Sequence, residues 1–405
     1  MSSLTADILD IGDERMLGIR PDGRKIWLEG PAVPGDRVEL EPEGKSGRVT
    51  RILVPAPNRL PPRCPHFDIC PGCQLQPLPY AAQLELKAAK ITETLRRIGG
   101  FDGFDFRGLT PSPDPYGTRN KLDFSIQAAN VGYQSSLGFI PVSECPVGAP
   151  ILHNLISPLT NWLRNHPRHH LHRAMLRTGS DRRTAHLLLR GLLSEQETSD
   201  LVDWAKEQCG LESLSIQADW KAPWETLHGP GSLTFTLADV SHTVAHDRFF
   251  QIHDTLADTL VRTALDWLGS GKSQRLLDLF SGSGAFTLPA ARQGFQVLGL
   301  DSRPGPGPFQ QADLRRGIPK PVLNQSWQVV MTDPPRAGME KDLCRQIRDQ
   351  LRPERILYIS CNPATLARDL QRLCANQSYR LTRVQGFDLF PHTTHVETLA
   401  ELVRR

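Results

Sequence analysis

The 405-residue sequence contains no apolar run approaching the ~18 residues that cross a bilayer. Its opening stretch, MSSLTADILDIGDERM, is acidic and lacks the basic start and apolar core of a secretory leader. A membrane or secreted protein is therefore not expected, and a cytoplasmic one is. Cysteine is scarce: eight residues are too few for a disulfide scaffold, and three of them (Cys64, Cys70 and Cys73) fall close together. Neither sign of charge dominates, since 47 Lys and Arg face 44 Asp and Glu. A net charge of +3 does not by itself call for an acidic partner. What is present is apolar mass: 39% apolar against 22% charged residues supports packed cores and excludes wholesale disorder. The length suggests about two to four domains.

The chain divides into three parts. Residues 1–55 carry short runs such as Lys25–Leu28 and Arg37–Leu40, punctuated by Asp22-Gly23, Glu29-Gly30 and Pro34-Gly35. That spacing predicts a small β-barrel. A Pro-rich linker at 55–62 leads into residues 56–245, expected to be mixed α+β and to carry a helix over 80–98. Within this part, residues 164–190 hold seven arginines and five histidines against one acid, Asp181. That composition fits either a solvated surface or a phosphate-contacting face. From residue 246 to 405 strands alternate with helices: helix 254–268, strand 275–280, helix 285–293 and strand 296–300. Strand 327–332, helix 339–350, strand 355–360 and helix 363–374 follow. The expectation is an α/β domain with a doubly wound, Rossmann-like sheet, whose ligands sit outside the carboxyl ends of the strands.

One strand runs into Phe280-Ser281-Gly282-Ser283-Gly284 and then a helix. Glycines there admit a ligand close to the backbone, and the helix start offers free N–H groups. The next strand ends in Asp301, 17 residues after Gly284, where an acid can hold ribose hydroxyls. A dinucleotide enzyme calls for a third glycine at 287, but the residue is Thr287. S-adenosylmethionine has no pyrophosphate to cradle, so the two glycines favour it over a nicotinamide or flavin cofactor. Further on, a strand delivers Asp333-Pro334-Pro335-Arg336. Arg336 cannot supply the aromatic face with which amino-directed methyltransferases stack a target base. Cys361 stands where a strand stops at the ligand edge, the position of a nucleophile rather than of a packing thiol. Glu397 lies in the same half and is a candidate general base.

Together these residues resemble the RNA uracil-C5 methyltransferase family. The matching pieces are Phe249-Phe250-Gln251, Asp278 to Gly284, Asp333 to Gly338, Ser360-Cys361-Asn362-Pro363 and His395-x-Glu397. The segments Gly18-Ile19, Asp22-Gly23 and Glu29 to Val38 resemble the family's TRAM barrel. The likeness spans nearly the whole chain and is greatest to the branch acting on large-subunit ribosomal RNA; the transfer-RNA branch typically lacks the cysteine cluster. The resemblance implies that Cys361 adds to uracil C6 and that Glu397 removes the C5 proton. It implies that Gln251 and Asp333 orient base and cofactor, while Phe280, Gly282, Asp301 and Asp313 line the S-adenosylmethionine site. The target base must be extruded from its stack to react, which suits RNA loops.

Cys64-x5-Cys70-x2-Cys73 with the distant Cys145 can hold either a tetrahedral zinc, with His66 as a possible ligand, or a four-iron cluster. The resemblance implies a [4Fe-4S] cluster on these four thiolates. The chain also departs from the family. Phe-x-Gln-x-Asn ends in His253, and Ala285 stands where an Asn usually closes the turn. Only 11 residues, SRPGPGPFQQA, separate Asp301 from Asp313. The Pro- and Gly-rich part, 304–308, cannot form the helix the family has there. A more open adenine pocket is expected. An RNA-binding assembly factor with a degenerate cofactor site is the alternative reading.

Overall fold

The computed structural model describes residues 4–135, 138–245, 247–303, 305 and 307–405. Five strands, Leu4–Ile11, Met16–Ile19, Lys25–Glu29, Arg37–Glu43 and Ser46–Val54, close into a barrel. Alternation builds it: in the third strand Ile26 and Leu28 are buried while Lys25 and Trp27 face out. Closure removes the free edges that a short open sheet would expose. The buried Asp36 accepts hydrogen bonds from Val33 N and Ala56 N, each 2.8 Å long, and so ties the linker to the barrel.

The middle of the chain forms a seven-stranded sheet. Its order across is Glu225–His228, Leu211–Gln217, Ala185–Leu192, His170–Thr178, Lys121–Gln127, Asn130–Ser135 and Gly138–Pro141. One face buries Leu122, Phe124, Leu176, Leu187, Leu189 and Leu214 in a single core. The other face is polar. Register carries Ser125, Arg173, Arg190 and Gln217 side by side across four strands. Such division of labour between faces is ordinary for a largely antiparallel sheet.

The last third is built on an eight-stranded sheet. Five parallel strands, Phe309–Gln311, Gln296–Asp301, Arg275–Leu279, Val329–Thr332 and Arg355–Ser360, lie in that order. The antiparallel strand Glu397–Arg404 comes next, then Tyr379–Phe387 and finally Asp105–Thr110. The alternation of strand and helix expected from the sequence is present, with helices Asp254–Leu268 and Pro363–Leu373 on opposite faces. Each shows why it forms. Asp254–Leu268 buries Leu256, Leu260, Val261, Ala264, Leu265 and Leu268, a stripe at helical spacing. Pro363–Leu373 starts with Pro at its first position behind the Asn362 cap, which accepts from Ala364 N at 3.0 Å. Helix 339–350 is shorter than expected: Lys341–Arg345 passes into a wider turn over Gln346–Leu351. The strand Asp105–Thr110 joins this sheet from far upstream, which no local pattern announces.

The helix Tyr80–Arg97 connects the parts. Its Lys87 is wholly buried, with Nζ 2.5 Å from Asp388 Oδ1 and 2.9 Å from the Phe390 carbonyl. Tyr80 donates its hydroxyl to Asp388 at 2.8 Å. Three helical turns of apolar contact are thereby pinned at one polar point. Removing one partner strands the other charge in a dry interior. Lys87→Met should cost about 3–5 kcal/mol, read as a lower urea midpoint with an unchanged slope.

Candidate active site

The parallel strands deliver their carboxyl ends to one rim, and the rim is crowded with acids. Asp278 lies within the strand Arg275–Leu279, Asp301 ends Gln296–Asp301, Asp333 follows Val329–Thr332, and Glu397 starts the antiparallel strand. Asp278 is buried; Thr287 donates to its Oδ2, and among the described residues no hydrogen bond reaches its Oδ1. Burial pushes its pKa up to about 7, and the Asp333 and Asp301 carboxyls add to the shift. Burial also raises Asp333 and Glu397, each a like charge to the other. Glu397 Oε1 is buried without a hydrogen-bond partner among the described residues. Gln251 Nε2 lies 3.3 Å from Asp333 Oδ2.

Cys361 follows the strand Arg355–Ser360 and is half-buried. Ser360 pairs with Thr398 across the ladder, so the residue after one faces the residue before the other: Cys361 and Glu397 become neighbours. Burial pushes the Cys361 thiol up to about 12, with Glu397 and Asp333 adding and Arg336 opposing.

The turn after Arg275–Leu279 needs left-handed backbone. Gly282 (φ 51°) and Gly284 (φ 85°) supply it, and so does Phe280 (φ 62°), where a side chain makes the conformation costly. Gly282 N donates to Asp301 Oδ2 at 3.1 Å, closing turn and acid into one unit. Among the described residues between Asp301 and Asp313 there is no helix. Instead Phe309–Gln311 adds an edge strand, and the Phe309 ring presses on the turn. A β-carbon on Gly299 would come within 2.3 Å of that ring, and one on Gly284 within 2.7 Å. Pro304 and Pro306 lie outside the described residues. Asp313 is not drawn into the acid rim by any hydrogen bond: it caps its own turn and holds Arg315 Nε at 3.0 Å.

Two residues that the sequence analysis named only as parts of motifs make contacts it did not foresee. Arg336, beyond the Asp-Pro-Pro turn, is gripped by the barrel loop between the first two strands: Nη1 sits 3.0 Å from Glu14 and Nη2 2.9 Å from Asp13. His395 reaches the same two acids, at 3.4 and 3.3 Å. The hydrogen bond from His395, with Arg336 and Lys90 behind it, holds Asp13 down at about 2. No spacing rule predicts a contact across more than 320 residues.

Cys64, Cys70, Cys73 and Cys145 line one cavity of about 60 Å³, together with Arg119 and Tyr133. Burial raises Cys64 to about 12 and Cys145 to about 11, and the neighbouring thiols add to both. Among the described residues no three His, Cys, Asp or Glu side chains are arranged to hold a single ion. His66, the nitrogen alternative, has its Nε2 3.2 Å from Ser143 Oγ.

The sheet order and the rim describe the fold of S-adenosylmethionine-dependent methyltransferases. The crystal structure of Pyrococcus abyssi tRNA (uracil-54, C5)-methyltransferase superposes with a TM-score of 0.75 at 24% identity, covering 98% of this chain and all of that one. A sequence profile of the tRNA (Uracil-5-)-methyltransferase family matches residues 321–405, which hold Asp333, Cys361 and Glu397. The 23S rRNA (uracil(1939)-C(5))-methyltransferase RlmD of Edwardsiella ictaluri is 32% identical, over 94% of this chain and 91% of that protein. An uncharacterized RNA methyltransferase of Thermosynechococcus vestitus is 30% identical over 93% of each. The chain belongs to the RNA (uracil-5-)-methyltransferase family. Among the described residues no helix is long and apolar enough to cross a membrane.

The thiol's surroundings make a direct measurement possible. Alkylation of Cys361 by iodoacetamide, followed by peptide mass analysis, should rise at higher pH than for a free cysteine of pKa ~8.5. Glu397→Gln removes one of the two carboxyls and should move that profile to lower pH. An unmoved profile would separate the carboxyl from the thiol.

Proposed function

We propose that this enzyme methylates C5 of a uridine in large-subunit ribosomal RNA, with Cys361 as nucleophile and Glu397 as base. The observation that carries the reading is the ladder contact that sets a thiol beside a buried carboxyl whose Oε1 has no hydrogen-bond partner among the described residues. Cys361 would add to C6, which turns C5 into a carbon nucleophile; once C5 has bonded the methyl carbon, with the donor's carbon–sulfur bond breaking and its electron pair staying on sulfur, Glu397 would take the C5 proton and the C5–H electrons would expel the Cys361 thiolate from C6. S-adenosylmethionine, when bound, supplies an electrophilic methyl on a cationic sulfur. The chain's residues suit such a group. Gly282 and Gly284 keep the turn free of β-carbons, Phe280 and Asp301 border it, and four carboxyls crowd one rim. A cation entering that rim lowers the pKa of Asp333 and Glu397, so Glu397 becomes a competent base once the site is filled. Gln251, hydrogen-bonded to Asp333, orients it. Asp313 borders the site through its backbone turn, its carboxylate being engaged by Arg315.

Ribosomal RNA as target is supported by relatives named for 23S rRNA, at 30–32% identity over 91–96% of their lengths. Such a substrate implies a cytoplasmic enzyme. In this reading residues 1–55 form an RNA-binding TRAM barrel, 56–245 a cluster-bearing middle domain and 246–405 the methyltransferase domain. Nucleoside maps of ribosomal and transfer RNA, from cells with and without the gene, test the target. Loss of 5-methyluridine from transfer RNA alone would redirect it. Retention of Cys361 beside Glu397 disfavours the alternative of an assembly factor with a dead site; failure to bind S-adenosylmethionine would revive it.

The variants follow. Cys361→Ala should abolish turnover and leave RNA binding intact, because the loss is of a bond and not of a docking surface. Glu397→Gln should accumulate a methylated protein–RNA adduct on a denaturing gel, since proton removal precedes elimination. Normal turnover by Glu397→Gln assigns the base elsewhere.

We infer a [4Fe-4S] cluster on Cys64, Cys70, Cys73 and Cys145. The reading is supported by four thiols lining one cavity and by the engagement of His66 with Ser143. Bound there, the cluster contributes its binding free energy to folding of the loop 64–73. Protein purified without oxygen should be brown, with broad absorption near ~400 nm. Cys70→Ser should bleach it. A colourless protein with one equivalent of zinc overturns the assignment.

A further inference from the structure

The polar face of the seven-stranded sheet ends in an aromatic stack. Trp220, in the loop after Leu211–Gln217, is 67% exposed. The Arg190 guanidinium lies 3.3 Å from its ring centre, against one face of the indole. Arg173 is 5.1 Å from the same ring, and Trp224 stands 5.6 Å from Arg190. The loop is not loose. Asp219 accepts from Lys221 N at 2.7 Å and Ala222 N at 3.0 Å, and Gln217 Nε2 donates to the Ala222 carbonyl at 2.7 Å. Gln217 also accepts from Arg190 Nε at 2.8 Å. An indole is thus held flat against a cation that is itself 8% exposed, with the ring presented to solvent. Water is a poor partner for such a ring, and folding has left it uncovered.

The same face leads to the active site. Two residue positions along one strand face, Arg173 to Met175 to Arg177, bring the row to Arg177, whose Nη1 donates to the Arg248 carbonyl at 2.9 Å. Arg248 adjoins Phe249, which is 73% exposed, and lies three residues before Gln251. Beside it Asn120 donates to the Gln251 carbonyl at 2.9 Å. From Arg173 to Arg177 the strand covers about 13 Å. That is about four nucleotides at the ~3.4 Å rise of a stacked strand, and fewer where the strand is extended.

We propose that Trp220, backed by Arg190, is a stacking platform for an unpaired base of the RNA substrate, a few nucleotides from the uridine delivered to Cys361. The occupant follows from the surface. An aromatic face with a cation beneath it suits the π-face of any base. In the row beside it Arg177 is buried and Arg173 is held by Asp123 at 2.7 Å, so the stacking face, and not a run of free cations, is what the surface offers the strand. The platform holds the strand while the target base leaves its stack, so part of the extrusion cost is met by stacking elsewhere. The proposal rests on RNA being the substrate. It is tested by binding, which is independent of methyl transfer.

The probe is a fluorescein-labelled 12-mer of oligouridine, titrated against the full chain by anisotropy over a range of salt. Trp220→Leu keeps apolar bulk and removes the ring; it should weaken binding about tenfold. Trp220→Phe should stay within about threefold of the wild type. The slope of affinity against salt should not change, because no phosphate contact is lost. With ribosomal RNA as substrate, Trp220→Leu should raise KM and leave kcat as it was. Wild-type affinity in Trp220→Leu overturns the proposal, as does an equal loss in both variants. Absence of methyl transfer to RNA by the wild type would instead strike at the catalytic reading.

Discussion

One backbone pairing sets the geometry of the rim: Ser360 opposite Thr398, where an antiparallel strand enters an otherwise parallel sheet. Parallel strands bring their carboxyl ends to a common rim, but they bring only residues that follow strands. The antiparallel strand Glu397–Arg404 runs the other way, so its first residue, not its last, meets the rim. Glu397 thereby reaches Cys361 from the opposite chain direction. Side chains alternate along a strand, so a register slip of one residue would turn Glu397 to the other face of the sheet. Buried Leu399 and Leu402, which fall on opposite faces, hold the register by filling the two cores.

The rim that results is electrostatically unfinished. Asp278, Asp301, Asp333 and Glu397 share one edge, and the buried members respond by binding protons more tightly. The Arg336 charge acts on the thiol, but it is shared with the two barrel acids Asp13 and Glu14. An edge with this surplus of carboxyl favours a cationic visitor over a neutral one. The cost of crowding acids in the resting protein is thus matched to the charge that a sulfonium carries in.

Much of this was legible along the chain. The helix Asp254–Leu268, the strand Arg355–Ser360 and the Gly282 turn follow from periodicity and from residues with a known conformational job. The placement of Cys361 and Asp333 at strand ends follows from topology rules for parallel sheets. What could not be read was long-range: the strand Asp105–Thr110 crossing to the far edge, Lys87 meeting Asp388, and the grip of Asp13 and Glu14 on Arg336. These contacts join segments with no shared pattern, and only packing decides them. Phe309 is instructive in a different way. Composition argued against a helix between Asp301 and Asp313, and it gave no hint that a single ring would fold back over Gly284 and Gly299.

The barrel loop at Asp13 and Glu14 bears on how divisible this protein is. A β-barrel joined by a Pro-rich linker looks like a detachable adaptor, free to be exchanged or deleted. Here its first loop supplies both acids that hold Arg336 and His395, and Lys90 donates to the Gly12 and Thr394 carbonyls at 2.8 and 2.9 Å. Without the barrel, the Arg336 guanidinium and the His395 ring would lose these two acids beside Cys361. The barrel is therefore part of the wall around Arg336 and His395, and modularity in the sequence does not translate into independence in the fold.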